Sequence, residues 1–112
     1  MTQNWYYTSN MVNIHYIPQE WRGWELCEAT LKRDRAVFIY KYVESEIYLV
    51  MEQLHEEAYM TVFFEEHIDP LIETEVCMFE NKLRVDAGFH ADEVEFIGNS
   101  GARDAYMYAG IQ

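Results

Sequence analysis

The apolar residues of this chain follow two different spacings, and the change between them is what most limits its fold. In several segments every second residue is apolar, which is the period of a β-strand buried on one face. In the central part of the chain the apolar residues recur every three or four positions, which is the period of an amphipathic helix. No apolar run reaches the roughly 18 residues that a membrane helix needs. The two periods together predict an α+β domain.

Length and composition indicate one folded domain. The chain has 112 residues, of which 50% are hydrophobic and 16% are aromatic. A chain of this length is the size of one typical domain and buries well over half of its extended-chain surface when it folds. We therefore treat residues 1–112 as a single acidic α+β domain.

Three strands are predicted in the first part of the chain. Met11–Ile17 alternates apolar and polar residues and is followed directly by Pro18, which ends a strand. Ala36–Val43 is dense in β-branched and aromatic residues and is the clearest strand of the sequence. Trp24–Leu31 precedes it across a polar turn at residues 32–35, so the two segments predict a β-hairpin.

Two helices are predicted next. Ser45 is a suitable N-cap, and the apolar residues after it recur at helical spacing, which predicts a helix from about residue 46 to residue 62. Ala58–Phe64 has apolar residues at both odd and even positions, which suits a strand as well as a helix, so both interpretations stay open there. Asp69-Pro70 is a second helix start, because Asp caps and Pro suits the first helical position, and it predicts a helix over 70–81.

Three further strands are predicted to close the chain. Leu83–Phe89 alternates apolar and polar residues, as do residues 93–96 and Ala105–Ile111. Gly98–Gly101 has the composition of a turn. The predicted order is β-β-β-α-α-β-β-β, which gives an antiparallel sheet with one or two amphipathic helices packed on one face.

The charge of the chain is strongly negative and unevenly placed. It carries 20 Asp and Glu against 8 Lys and Arg, a formal net charge of −12. This disfavours nucleic acid as a direct ligand and disfavours an anionic membrane surface. Eleven of the acidic residues lie between Val43 and Asn81, a stretch without any Lys or Arg. Such a tract suits either a basic protein partner or solubility alone.

The acidic tract supplies the candidate binding residues. On a helix, Glu52 and Glu56 would be i,i+4 neighbours with Cβ atoms about 5–6 Å apart. A row of carboxylates at that spacing imitates a polyanion and would dock on a basic groove. The candidate partner-binding residues are the acidic Glu52, Glu56, Glu57, Glu65, Glu66 and Asp69 with the outward-facing Tyr106 and Tyr108.

Two classes of function fit these features. The leading hypothesis is a small non-catalytic inhibitor or interaction protein that docks its acidic helical face on the basic groove of a partner such as a nucleic-acid-handling enzyme. Phage anti-defence proteins (anti-CRISPR-like or DNA-mimic proteins) and toxin immunity proteins are of this kind, and the tyrosine content leaves a homodimer open. The alternative is a small-ligand-binding or enzymatic domain with an aromatic pocket lined by Trp21 and Trp24.

Histidine and cysteine residues form no recognised catalytic or metal motif. The segments 55–57 and 65–69 contain ligand types without a metal-binding spacing. Cys27 and Cys77 lie far apart, which fits a reducing compartment, so we predict a cytoplasmic protein with both thiols buried. A disulfide between them stays open. The sequence therefore predicts no metal, no cofactor and no catalytic residue, and leaves enzymatic activity uncertain.

Overall fold

The protein is an α+β domain built on one sheet. A computed structural model describes residues 20–21, 23–32, 34–54, 57–65, 70–87 and 89–110. Its elements are β1 (Glu20–Trp21), β2 (Trp24–Lys32), β3 (Arg35–Tyr42), β4 (Ile47–Leu54), β5 (Glu57–Phe64), α1 (Pro70–Ala87), β6 (Glu93–Gly98) and α2 (Ala102–Tyr108). The strands lie side by side in the order β1-β2-β3-β4-β5-β6.

The sheet is mixed, and the prediction of a purely antiparallel sheet is wrong. The four pairs from β1 to β5 are antiparallel, whereas β5 and β6 are parallel. The reason is the connection between the last two strands. The chain leaves β5, returns along α1 and enters β6 in the same direction, as parallel neighbours require.

The hairpin predicted near the start of the described chain is confirmed. β2 and β3 pair from Trp24 opposite Tyr42 to Lys32 opposite Arg35. A register shift between Leu26 and Glu28 marks a β-bulge. The strand predicted over residues 93–96 is also confirmed as β6. The predicted strand Met11–Ile17 lies outside the described residues.

The helix predicted from about residue 46 to residue 62 is wrong. The segment forms β4 and β5, which pair from Ile47 opposite Phe64 to Leu54 opposite Glu57. The strand interpretation of Ala58–Phe64 is therefore the right one. Seven of the eight residues of β4 are buried, because the strand is central and covered on both faces. A strand of that kind shows no two-residue alternation, which is why its apolar spacing fits a helix as well.

Both helices of the structure differ from the predicted elements. The helix predicted over 70–81 exists but runs on to Ala87, so most of the predicted strand Leu83–Phe89 is helical instead. The predicted last strand, Ala105–Ile111, is wrong because residues 102–108 form α2. The element order of the described chain is therefore β-β-β-β-β-α-β-α rather than β-β-β-α-α-β-β-β.

The two helices lie on opposite faces of the sheet, so the prediction of helices on one face is also wrong. Val76, Phe79 and Leu83 of α1 pack with the residues of β3, β4 and β5 that point to one side, here called the α1 face. Ala105 and Ala109 pack with the residues that point to the other side, the α2 face. Strand side chains alternate between faces, so each central strand contributes to both clusters.

Candidate functional site

The predicted partner-binding residues that the structure describes do not form one continuous acidic surface. Glu56, Glu66 and Asp69 lie outside the described residues. Glu57 begins β5, whereas Glu65 follows the end of the same strand. The two carboxylates are therefore separated by the full strand, roughly 23–27 Å at 3.3 Å per residue. The acidic helical face that would have joined them is absent, because residues 47–54 and 57–64 are strands.

Glu52 is held inside the fold. It lies on central β4, points to the α2 face and is only 8% exposed. Arg35 donates from Nε to Oε2 of Glu52 at 2.6 Å, and its Nη1 and Nη2 donate to the carbonyl oxygens of Ala109 at 3.1 Å and Tyr108 at 3.4 Å. One guanidinium therefore links the Glu52 carboxylate to the end of α2. This carboxylate is already satisfied by its own chain.

Glu65 is exposed and lies against the turn before α2. A Cβ atom on Gly101 would lie 2.5 Å from Oε1 of Glu65 and 2.8 Å from its Cδ. Any side chain at position 101 would therefore require the Glu65 side chain to move. The chain does turn within the predicted Gly98–Gly101 segment, but Gly98 still belongs to β6 and the turn leads into α2 instead of closing a hairpin. Asn99 lies in the left-handed region at φ 61°, and the Ser100 amide donates to the Phe64 carbonyl at 2.9 Å.

Tyr106 and Tyr108 belong to α2 and not to a strand. Tyr106 packs edge-on against Tyr48, with ring centroids 6.5 Å apart. Tyr108 packs on Phe63 at 5.5 Å, and Thr61 Oγ1 donates to its hydroxyl at 3.4 Å. Both side chains therefore hold α2 on the sheet, although Tyr108 stays 43% exposed.

The parallel pairing of β5 and β6 brings together a set of exposed acidic residues around one tyrosine. Tyr59 lies opposite Glu93 in the register, and Thr61 lies opposite Glu95. Side chains alternate between the two faces along a strand, and Glu57 lies two residues before Tyr59. Glu57, Tyr59, Thr61, Glu93 and Glu95 therefore all point to the α2 face. We call the exposed carboxylates Glu57, Asp92, Glu93 and Glu95, together with Tyr59, the acidic corner.

Backbone and side-chain contacts fix the geometry of the acidic corner. Asp92 anchors the start of β6, because its amide donates to the Ala58 carbonyl at 2.7 Å and its Oδ2 accepts from the Ala58 amide at 3.0 Å. The Tyr59 hydroxyl donates to Oε2 of Glu57. That hydrogen bond, with partial burial and the neighbouring carboxylates, raises the pKa of Tyr59 to about 12.

Among the described residues, the carboxylates of the acidic corner have no cationic partner. None of the ion pairs among the described residues involves these four groups. Like charges on adjacent strands repel, by a fraction of a kcal/mol for each exposed pair. No group of three or more His, Cys, Asp or Glu residues in the described part of the chain has a metal-binding arrangement. The corner therefore presents negative charge outward and does not converge on a single ion.

The sequence carried only a partial signal for this corner. The alternation of Glu93 and Glu95 with apolar residues placed them on one strand face. Their neighbours on the next strand depend on the parallel register with β5, which no local pattern encodes. Of the predicted binding residues, Glu57 alone belongs to the corner.

The cysteines are free thiols, and the prediction that they are buried is wrong. Cys27 and Cys77 are both exposed and unpaired with each other. Partial burial and the charge of Glu25 raise the pKa of the Cys27 thiol. A raised pKa reduces the thiolate fraction, so Cys27 has the opposite of an activated nucleophile's environment.

Trp24 does not line an open aromatic pocket, as the alternative hypothesis expects. Trp24 is 1% exposed, stacks on Phe79 at 5.3 Å and contacts Tyr42 at 5.1 Å, so it belongs to the core. A shallow depression of about 290 Å³ on α1 is lined by Thr74, Cys77, Met78, Asn81 and Lys82. None of these five residues is aromatic.

Comparisons of the chain with protein-family models, with curated proteins and with solved structures gave no match. Neither described helix combines the length and the apolar character needed to cross a membrane.

Proposed function

We propose that the protein works without catalysis, as a small acidic protein that binds a basic partner through the acidic corner. The observation that carries this proposal is the group of exposed carboxylates on β5, β6 and the preceding loop that have no Lys or Arg partner among the described residues. They replace the acidic helical face expected from the sequence. Their repulsion would be relieved by cations on another molecule.

Charge complementarity selects the kind of partner. The densest Lys and Arg surfaces in proteins are those that bind the phosphates of nucleic acids. An acidic protein that occupies such a surface blocks it, so a nucleic-acid-handling enzyme is the partner we favour. Inhibition of a defence enzyme and neutralisation of a nuclease toxin are the two biological settings that fit.

The ring of Tyr59 gives the corner an apolar component. Tyrosine is among the residues that dominate binding energy at protein interfaces. A guanidinium stacked on a tyrosine ring contributes about 0.5–1 kcal/mol at an exposed site. Arg is therefore favoured over Lys opposite Tyr59, while the carboxylates accelerate the encounter.

Affinity capture from host cells tests the proposal with a charge-reversed variant. Glu57→Lys, Glu93→Lys and Glu95→Lys together invert the corner, and Asp34→Lys with Glu44→Lys is the control, since both residues are exposed in turns elsewhere. We expect wild type and control to retain a basic nucleic-acid-binding protein that the corner variant does not retain. Added DNA and raised salt should release it.

Three results would contradict the proposal. The corner variant could retain the same protein as the wild type, the control variant could lose it equally, or the wild type could retain no basic protein at all.

A further inference from the structure

The acidic corner lies at one edge of the sheet that the described strands form. Among the described residues, β6 pairs with β5 and with no other strand. At the opposite edge of the described sheet lies β1, a strand of two residues. Natural proteins protect an exposed edge by making it very short, by a bulge, by Pro, or by charged side chains, of which Lys is the most effective. The charges on β6 are those of Glu93 and Glu95, which oppose pairing with another acidic strand but not with a basic one. β6 has six residues, Glu93–Gly98, with no Pro, no Lys and no register shift.

The edge of β6 offers main-chain hydrogen bonds to an incoming chain. Every second residue of an edge strand turns its N–H and C=O away from the neighbouring strand. An extended peptide satisfies these groups when it adds to the sheet, and its alternate side chains meet the two faces. The edge therefore has the backbone requirements for strand addition.

The side chains along β6 indicate which kind of incoming strand would fit beside it. Glu93 and Glu95 point to the α2 face, whereas Val94 points to the α1 face and is 38% exposed. A strand with Lys or Arg at every second position would set its cations beside the two glutamates. The apolar residues between them would cover Val94. A second copy of the same chain fits poorly, because β6 against β6 would set Glu beside Glu.

We propose, on the basis of the proposed function, that β6 accepts an extended segment of the basic partner as an additional strand. The segment alternates Lys or Arg with apolar residues. The partner is thus recognised by sequence pattern and main-chain pairing as well as by total charge.

Peptide binding to the 112-residue chain shows whether the alternating pattern of the peptide matters in addition to its charge. The probe is the capped hexapeptide Lys-Val-Lys-Val-Lys-Val, and its control is Lys-Lys-Lys-Val-Val-Val, which has the same composition without alternation. We expect the control to bind about tenfold more weakly. N-methylation of the valine amides, and separately of the lysine amides, blocks one edge of the probe at a time. One of the two methylated peptides should lose binding, and the other should keep it.

Hydrogen exchange identifies where the peptide binds. The bound alternating peptide should slow exchange of backbone amides within Glu93–Gly98, and Glu93→Lys with Glu95→Lys should abolish both binding and protection. Equal binding of the two peptides, or no effect of either N-methylation, would overturn strand addition while leaving charge-based binding by the corner intact. A free chain that sediments as a dimer with protected β6 amides would also overturn it. Failure of the proposed function itself would instead appear as cell capture that ignores the corner variant.

Discussion

The two faces of the sheet are built differently. On the α1 face, an 18-residue helix covers a continuous apolar cluster that includes Trp24, Tyr40 and Phe79. On the α2 face, a helix of seven residues covers a smaller cluster, and the surrounding sheet carries Arg35, Glu52 and the acidic corner. The α1 face therefore provides most of the buried apolar surface, and the α2 face carries the residues through which we propose that the protein binds a partner.

The largest effect is expected from the α1 face. Phe79→Ala removes a buried ring that stacks on Trp24 and meets Tyr40 edge-on at 5.0 Å. We expect a loss of about 3–5 kcal/mol in the free energy of unfolding, because the cavity cannot fully collapse. Urea denaturation measures it. Met78→Ala, on the same helix and 53% exposed, is the control and should change stability by less than about 0.5 kcal/mol.

The second-largest loss of stability is expected on the α2 face, where Arg35 pairs with the buried Glu52. Arg35→Ala leaves the buried Glu52 carboxylate without its cation and removes the donors to the carbonyl oxygens of Tyr108 and Ala109. We expect a loss of about 2–4 kcal/mol, and a smaller loss for Arg35→Met with Glu52→Leu, which removes both charges. A double-mutant cycle measures the difference. Additive single effects would show that the pair is not coupled.

A smaller effect is expected where Glu65 crosses the turn before α2. Gly101→Ala would place a methyl group 2.5 Å from Oε1 of Glu65. The Glu65 side chain is exposed and can move aside, so we expect a cost of only about 1 kcal/mol. The double variant Gly101→Ala with Glu65→Ala should regain most of the lost stability, as measured by thermal unfolding. No recovery would place the strain elsewhere.

Tyr48 and Tyr59 both lie on the α2 face, and their pKa values are raised for different reasons. The pKa of Tyr48 is raised to about 12 first by burial, whereas that of Tyr59 reaches about 12 first through its hydrogen bond to Glu57. Glu57→Gln should therefore lower the Tyr59 pKa toward 10 more than Glu46→Gln lowers that of Tyr48. Titration by NMR of ring-labelled tyrosine measures both, and equal shifts would contradict the assigned causes.

The same shifts give a direction for stability at alkaline pH. Unfolded tyrosines ionise near pH 10, whereas Tyr48 and Tyr59 keep their protons to about 12 in the folded protein. The folded state then binds more protons than the unfolded state, so stability falls as pH rises from about 10 to 12. Denaturation at pH 9, 10 and 11 should show the decline, with a smaller slope for Tyr48→Phe.

The comparison of the faces also shows which parts of the fold were predictable. The β2–β3 hairpin followed from β-branched density and a polar turn. The β4–β5 hairpin could not be recognised in the sequence for two reasons. β4 is buried on both faces and so lacks alternation. The two residues that connect it to β5, His55 and Glu56, include no Gly, Pro or Asn to indicate a turn. Ala105 of α2 and Ala109, which follows the helix as its C-cap, are both buried at i,i+4 spacing, but their alternation with Met107 suggested a strand.

The candidate site was less predictable than the fold. Glu52 was expected on a solvated helix face, but β4 carries it to Arg35, which lies 17 residues earlier in the sequence. The acidic corner depends on the crossover through α1, which sets Glu93 beside Tyr59. Pairing between segments separated by a long helix is a tertiary property, so charge counts along the chain could not locate it.

We propose that the acidic corner binds the basic side chains of a partner and contributes little to the stability of the fold. Glu57→Lys, Glu93→Lys and Glu95→Lys should together change the free energy of unfolding by less than about 1 kcal/mol, since all three side chains are exposed and the hydrogen bond from Tyr59 to Glu57 lies at the surface. An NMR titration of the wild-type protein with the alternating Lys-Val hexapeptide tests this binding. We predict that the largest amide shift changes fall at Tyr59, Glu93 and Glu95, and that the variant shows none of them. Shift changes centred on α1, or equal changes in the variant, would contradict the account.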